Sequence, residues 1–233
     1  MKLLSFLLAA LFLLSSCHMI RGSGNIITEK RATGEFNGIS AGGDFEVELS
    51  NGPLTEVIVE ADDNIMSYIE TRVSGGILKI RTRDLNSYSN VHMKILISAP
   101  LISDVKVSAS AIFLAKDLMK CKSELTFNAS SAASITAEVD APVVETNASS
   151  GATISIAGKT KTHTAESSSG ASLKTADLLS EVTEVKASSG ATAKVHASIK
   201  IIAKASSGAT IHYFGGASVD KTVSSGGTVV KGD

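Results

Sequence analysis

Asn147-Ala148-Ser149-Ser150-Gly151-Ala152-Thr153-Ile154 recurs nineteen residues later as Glu166-Ser167-Ser168-Ser169-Gly170-Ala171-Ser172-Leu173. The same motif returns as Lys186-Ala187-Ser188-Ser189-Gly190-Ala191-Thr192-Ala193, as Lys204-Ala205-Ser206-Ser207-Gly208-Ala209-Thr210-Ile211, and as Thr222-Val223-Ser224-Ser225-Gly226-Gly227-Thr228-Val229. Two weaker copies precede them, Lys106 to Phe113 and Asn128 to Ile135. The residues at the glycine position are 110, 132, 151, 170, 190, 208 and 226, with steps of 22, 19, 19, 20, 18 and 18. A period near twenty without a leucine ladder indicates a β-solenoid built from one supersecondary unit per repeat.

Apolar and polar positions alternate on both sides of the glycine. Three residues after it stand Phe113, Ile135, Ile154, Leu173, Ala193, Ile211 and Val229, and the next position is mostly polar, as in Ser155, Lys174, Lys194 and His212. Four residues before it stand Lys106, Asn128, Asn147, Glu166, Lys186, Lys204 and Thr222, between apolar or small neighbours. Period two marks a strand with one wet face. Each repeat is therefore two short strands meeting at a Ser-Ser-Gly corner, where glycine suits positive φ. The serines are expected to satisfy backbone groups at the corner and to stack in a ladder. A column of hydroxyls for binding a sugar or another surface is the functional alternative.

The first third is less regular. Strand-like alternation appears in Phe45 to Leu49, Val57 to Glu60, Leu78 to Arg81 and Met93 to Ile97, with turns at Asn51-Gly52-Pro53 and Ser74-Gly75-Gly76. Asp62 to Val73 reads as a short helix capped by Asp62 or Asp63. This region is expected to form the opening coils or cap of the solenoid, with a separate small β-domain as the alternative.

The N-terminal segment leads to Cys17. Lys2, the apolar run Leu3 to Leu14, and the small residues Ser15 and Ser16 have the layout of a secretory signal peptide, too short to span a bilayer. Leu14-Ser15-Ser16-Cys17 resembles a bacterial lipobox, so cleavage before Cys17 and lipidation on it are expected. Acyl chains contribute roughly 0.8 kcal/mol per buried methylene, so two chains or more hold the protein on a membrane. The expected division is 1–16 signal peptide, 17–33 anchor and short linker, and 34–233 solenoid. Only Cys121 remains besides Cys17, which leaves no internal disulfide.

The sequence also resembles the auto-transporter adhesin head GIN domain family, common in lipoproteins of Bacteroidetes. The resemblance rests on Gly22-Ser23-Gly24-Asn25-Ile26, on Phe36-Asn37-Gly38-Ile39 leading into Gly43-Asp44-Phe45-Glu46-Val47, and on the Ser-Ser-Gly repeats. It implies a right-handed single-stranded parallel β-helix at the cell envelope. Outer-membrane lipoproteins of that phylum destined for the surface often carry acidic residues after the cysteine. Here His18-Met19-Ile20-Arg21 follow it, which speaks against the cell surface and favours the periplasmic face of the outer membrane, the two locations in question.

The expected function is a noncatalytic scaffold or adhesin-like module for a glycan or protein partner. A pectate-lyase-like polysaccharide-active enzyme and a purely structural, self-associating protein are the alternatives. The acids Asp140, Glu145, Glu166, Asp177, Glu181, Glu184 and Asp220 read as out of phase with one another, which argues against a paired-carboxylate site. All five arginines, Arg21, Arg31, Arg72, Arg81 and Arg83, lie before the repeats. His92, His163, His196 and His212 fall at different phases, and no metal or cofactor motif is found. A net charge of −1 speaks against nucleic acid as a partner.

Overall fold

The alternation becomes the inner and outer faces of stacked parallel strands in the computed structural model, which describes residues 19–83 and 87–232. The signal-peptide segment and Cys17 lie outside the described residues. Before each corner, Asp104–Ser108, Glu124–Ala129, Val143–Ala148, residues 162–167 and 182–187, Lys200–Ala205 and Ser218–Val223 pair in parallel. After it, Ile112–Ala115, Ser134–Asp140, residues 153–159, Ser172–Thr175, Thr192–His196, Thr210–Phe214 and Thr228–Lys231 do the same. Each residue lies over its equivalent in the neighbouring coil, as a β-solenoid requires. Phe113, Ile135, Ile154, Leu173, Ala193 and Ile211 form one wholly buried column.

The first third continues this stack. Gly38–Gly42 pairs in parallel with Asp104–Ser108, and Glu46–Asn51 with Ile112–Ala115. Glu46–Asn51 also pairs in parallel with Met93–Ala99, and from there the pairing turns antiparallel: Met93–Ala99 joins Val57–Asp62, and Val57–Asp62 joins Ile26–Arg31. Ile69–Ser74 and Ile77–Thr82 form a hairpin laid on Gly38–Gly42. One core cluster runs from Phe36 to Val229.

Two local readings change. The helix is a single turn, Asp63–Met66, and the Asp62 side chain makes no cap bond to it. Residues 69–74 are instead a strand, because Gly75 and Gly76, at φ 63° and 74°, turn the chain back onto Ile77–Thr82 and Ile69 is buried against the core. The stretch expected to be linker already holds paired strands, Met19–Arg21 on Ser87–Ser89 and Ile26–Arg31 on Val57–Asp62.

The corners are tight turns with two consecutive left-handed residues. Gly151, Gly170, Gly190, Gly208 and Gly226 have φ between 70° and 74°, and the serine before each has φ between 46° and 53°. The Ala152 amide donates to the Ser149 carbonyl at 3.1 Å, which with these signs of φ makes a type I′-like turn. Adjacent corners are joined by backbone alone: the Ser149 amide donates to the Ala129 carbonyl and the Gly151 amide to the Ser169 carbonyl. A Cβ placed on these five glycines would meet nothing within 4 Å, so conformation and not space selects glycine there. Ser110 and Ala132, at φ 69° and 62°, occupy the same position without that freedom.

The core thins along the stack. The buried phenylalanines, Phe36, Phe45, Phe113 and Phe127, all lie in the first half of the stack, and later coils set a few large residues such as Leu173, Ile201 and Ile211 among alanines, as at Ala187, Ala191, Ala193, Ala197, Ala203 and Ala205. Two buried polar residues, His163 and Thr183, interrupt an inward column in which Leu125, Val144, His163, Thr183, Ile201 and Val219 are stacked in register. His163 Nε2 lies 3.0 Å from Thr146 Oγ1, while its Nδ1 is buried without a partner. Burial disfavours the charged ring and lowers its pKa to about 4 from the ordinary 6.5.

Two outcomes follow. An L-residue in the left-handed region costs about 1–2 kcal/mol, partly offset by the greater freedom of glycine in the unfolded chain. Ala132→Gly should therefore raise stability by about 1 kcal/mol, and Gly190→Ala lower it by a similar amount, read from urea midpoints. For His163 the unfolded chain binds a proton near pH 6.5 and the folded chain only near pH 4, so stability is lost as pH falls through that window. The loss is about 1.4 kcal/mol per pH step, about 3 kcal/mol in total. His163→Val should remove this share of the acid sensitivity; an unchanged pH dependence in that variant would refute the assignment.

Candidate functional site

Because pre-corner strands alternate, every second residue of each coil falls on one outer face, and parallel register aligns these residues in columns about 4.8 Å apart. Three such columns lie side by side. The first serine of each corner forms one, from Ser130 and Ser149 through Ser168, Ser188 and Ser206 to Ser224, and two residues back stand Lys106, Asn128, Asn147, Glu166, Lys186, Lys204 and Thr222. Two residues further back stand Asp104, Thr126, Glu145, Thr164, Glu184, Ile202 and Asp220. Together the serine column and its neighbour line an open groove of about 840 Å³ spanning Lys106 to Ser224.

Between the columns the groove is also lined by Ala129, Ala148, Ala187 and Ala205, whose side chains are buried. Its rim is a chain of polar contacts within and between coils. Asn147 Nδ2 donates to Asn128 Oδ1 at 3.2 Å and to Glu145 Oε1 at 2.8 Å. Lys186 Nζ lies 3.0 Å from Glu166 and 3.6 Å from Glu184, and Lys204 Nζ lies 3.8 Å from Glu184. The hydrogen bond and charge of Glu166 raise the Lys186 pKa above its ordinary value, so the ammonium is held protonated.

Among the described residues the corner serines at 149, 150, 168, 169, 188, 189, 206, 207, 224 and 225 make no side-chain hydrogen bond within the chain. The expectation that their hydroxyls satisfy the corner backbone is thus corrected: backbone groups satisfy one another, because the double left-handed turn points amide and carbonyl along the stack. The hydroxyls are left free on the surface.

The acids also fall differently from their expected scatter. Glu145, Glu184 and Asp220 each stand six residues before their glycine and share one column, with Glu166 in the next. Asp62 and Asp63 serve another purpose. Asp62 is buried and accepts hydrogen bonds from the Gly24 amide at 2.6 Å and the His92 amide at 2.7 Å, while Asp63 accepts from Ser23 Oγ at 2.6 Å and Asn25 Nδ2 at 2.8 Å. The Gly22-Ser23-Gly24-Asn25 segment is thereby latched onto the cap, and its carboxylate ligands are used up by protein donors. Cys121 is partly exposed, with Sγ 3.5 Å from Ser123 Oγ. Among the described residues no three His, Cys, Asp or Glu side chains gather as metal ligands.

A family model for "Putative auto-transporter adhesin, head GIN domain" matches residues 35–217. No curated protein matches at a significant level. Among solved structures, a putative adhesin from Bacteroides fragilis NCTC 9343 superimposes with a TM-score of 0.82 at 17% identity, covering 91% of this chain and 99% of its own. A putative lipid binding protein from Parabacteroides distasonis ATCC 8503 has a TM-score of 0.78 at 19% identity, covering 92% and 100%. A putative adhesin from Parabacteroides merdae ATCC 43184 has a TM-score of 0.71 at 17% identity, covering 93% and 100%. At these identities the structures share the fold, and the family model spans most of the sequence. The chain belongs to the auto-transporter adhesin head GIN domain family.

Proposed function

We propose that this chain is a noncatalytic binding module of the bacterial cell envelope that holds an extended glycan along its stacked polar face. The observation that carries the reading is the row of unpartnered serine hydroxyls beside amide and ion-paired side chains, repeated once per coil across the groove. The coil spacing of about 4.8 Å is close to the length one sugar residue adds to an extended chain, so a polymer meets the same donors and acceptors at each step. Many weak contacts then act together through effective concentration. The description of structural neighbours as adhesins supports the binding role. In this reading Cys17 carries the lipid, and the module stands on the outer membrane, at its periplasmic face or the cell surface.

A polysaccharide-active enzyme would draw on the same face, since Glu166, Glu184, Lys186 and Lys204 converge there. Proton abstraction needs a base whose pKa lies near the working pH. Lys186 is driven the other way by its carboxylate partners, which disfavours that alternative. Self-association is opposed at the last coil. Lys221 stands in the inward column of Phe127, Thr146, Ala165, Val185 and Ala203, and Lys231 in that of Val195 and Tyr213, and both are exposed. Inward-pointing charge on a terminal strand is a device against end-to-end pairing.

On a glycan array the mature protein should bind at least one polysaccharide, and Ser168→Gln with Ser188→Gln, which obstructs the groove, should weaken that binding at least tenfold with the melting temperature unchanged. Capture of an envelope protein with no glycan bound would instead favour the protein-partner reading. The wild type should scatter light as a monomer, whereas Lys221→Ala with Lys231→Val should associate in a concentration-dependent way. Protease shaving of intact cells reads which membrane face is occupied.

A further inference from the structure

The columns of the groove extend past the repeats into the cap hairpin. Ser40 of Gly38–Gly42 lies between Lys106 and Lys79, and Gly42 between Ser108 and Arg81. Lys79 thus continues the column of Lys106, Asn128 and Asn147, and Arg81 continues the serine column. Lys106 is about 10 Å from Lys79, two strand spacings away, across a strand reduced on this face to Gly38, Ser40 and Gly42.

At this end the hairpin sets like charges against each other. Its register puts Arg72 directly opposite Lys79, with Glu70 opposite Arg81, and all four side chains share the outer face. Glu70 is taken by Arg81, with Oε2 2.8 Å from Nε. Among the described residues Arg72 and Lys79 form no ion pair. Like charges directly opposite on antiparallel strands destabilise the pair, so Arg72 and Lys79 do not stabilise the hairpin by facing each other. Leu78 and Ile80 supply the inward side of the same strand, which leaves the cations free to serve a surface role. Arg72, Lys79, Arg81, Glu70 and Ser74 enclose a depression of about 110 Å³, large enough for a phosphate, sulfate or carboxylate group.

We propose that Arg72, Lys79 and Arg81 bind an anionic substituent of the glycan lying in the groove, so that the ligand is an acidic polysaccharide. This assignment rests on the groove reading and adds the charge of its ligand. Arginine presents a planar fork to such oxyanions, and Lys79 adds a point charge on the same side. Glu70 orients Arg81 and keeps it on this face. Further along, Glu166 and Glu184 are already neutralised by Lys186 and Lys204, so the unpaired positive charge of this outer face lies with Arg72 and Lys79 at the cap end.

The test is titration calorimetry of the mature protein with four polysaccharides, sulfated heparin, carboxylated polygalacturonate, a phosphorylated mannan and neutral dextran, and with polyglutamate as a non-sugar polyanion. One acidic polysaccharide should bind at least tenfold more tightly than dextran and polyglutamate, and its identity distinguishes sulfate, carboxylate and phosphate. Arg72→Gln with Lys79→Gln should abolish that preference and flatten its salt dependence, while the melting temperature stays the same or rises because the repulsion is gone. Binding of dextran equal to that of the acidic polymers, unaffected by this pair of substitutions but lost in Ser168→Gln with Ser188→Gln, would overturn the anion site and leave the groove reading intact. Equal binding of polyglutamate would reduce the cluster to unspecific attraction and overturn the proposal. Binding of no polysaccharide at all would overturn both.

Discussion

Parallel hydrogen bonding between each coil and the next is the interaction on which the rest of this structure depends. No coil can satisfy its own backbone, because its strands run side by side with those of other coils and not with each other. Each position must therefore accept the same neighbour above and below, and the corner must pass both its amide and its carbonyl along the stack. The Ser-Ser-Gly turn does this with two left-handed residues, and serine and glycine are small enough to stack at the strand spacing. Where Ser110 and Ala132 replace the glycine, the turn keeps its shape, which shows that the stack imposes the conformation even on residues that disfavour it.

The same constraint shapes the core. A coil that buries mostly alanine contributes little from burial alone, since only a full Val, Leu or Ile side chain contributes about 1.5–3 kcal/mol. The phenylalanines and isoleucines concentrate instead toward the cap end, where antiparallel strands close the stack and the latch of Asp62 and Asp63 holds the Gly22-Ser23-Gly24-Asn25 segment. The thin C-terminal coils are held by register with that thick end. In Ser218–Val223 and Thr228–Lys231 the inward columns carry exposed lysines, Lys221 and Lys231, in place of core residues.

The outer face inherits columns from the stacking as directly as the core does. A residue useful for binding appears not once but in several coils, which gives a flat, extended, repetitive surface without an enclosed pocket. Such a face suits a long polymer more than a small molecule, and its polar contacts run between coils, so that the binding surface and the stack stiffen each other. Charge along the face is uneven: carboxylates and lysines cancel among the later coils, and cations remain at the cap.

Much of this was legible in the sequence. The period, the two strands per repeat, the inward column from Phe113 to Val229 and the place of the glycines follow from spacing alone, because a parallel stack repeats its side-chain environment at every coil. The alignment of Glu145, Glu184 and Asp220 is also present there, each six residues before a glycine, but it is masked by the acids that stand at other phases, such as Asp140, Asp177 and Glu181. Tertiary structure alone decided the positive φ of the second corner serine, since serine has no local preference for it and only the bonds to both neighbouring coils enforce it. It decided too that Arg72 faces Lys79, and that Lys79 stands in the column of Lys106. Those juxtapositions depend on an antiparallel register and on a strand, Gly38–Gly42, that enters between segments far apart in the chain.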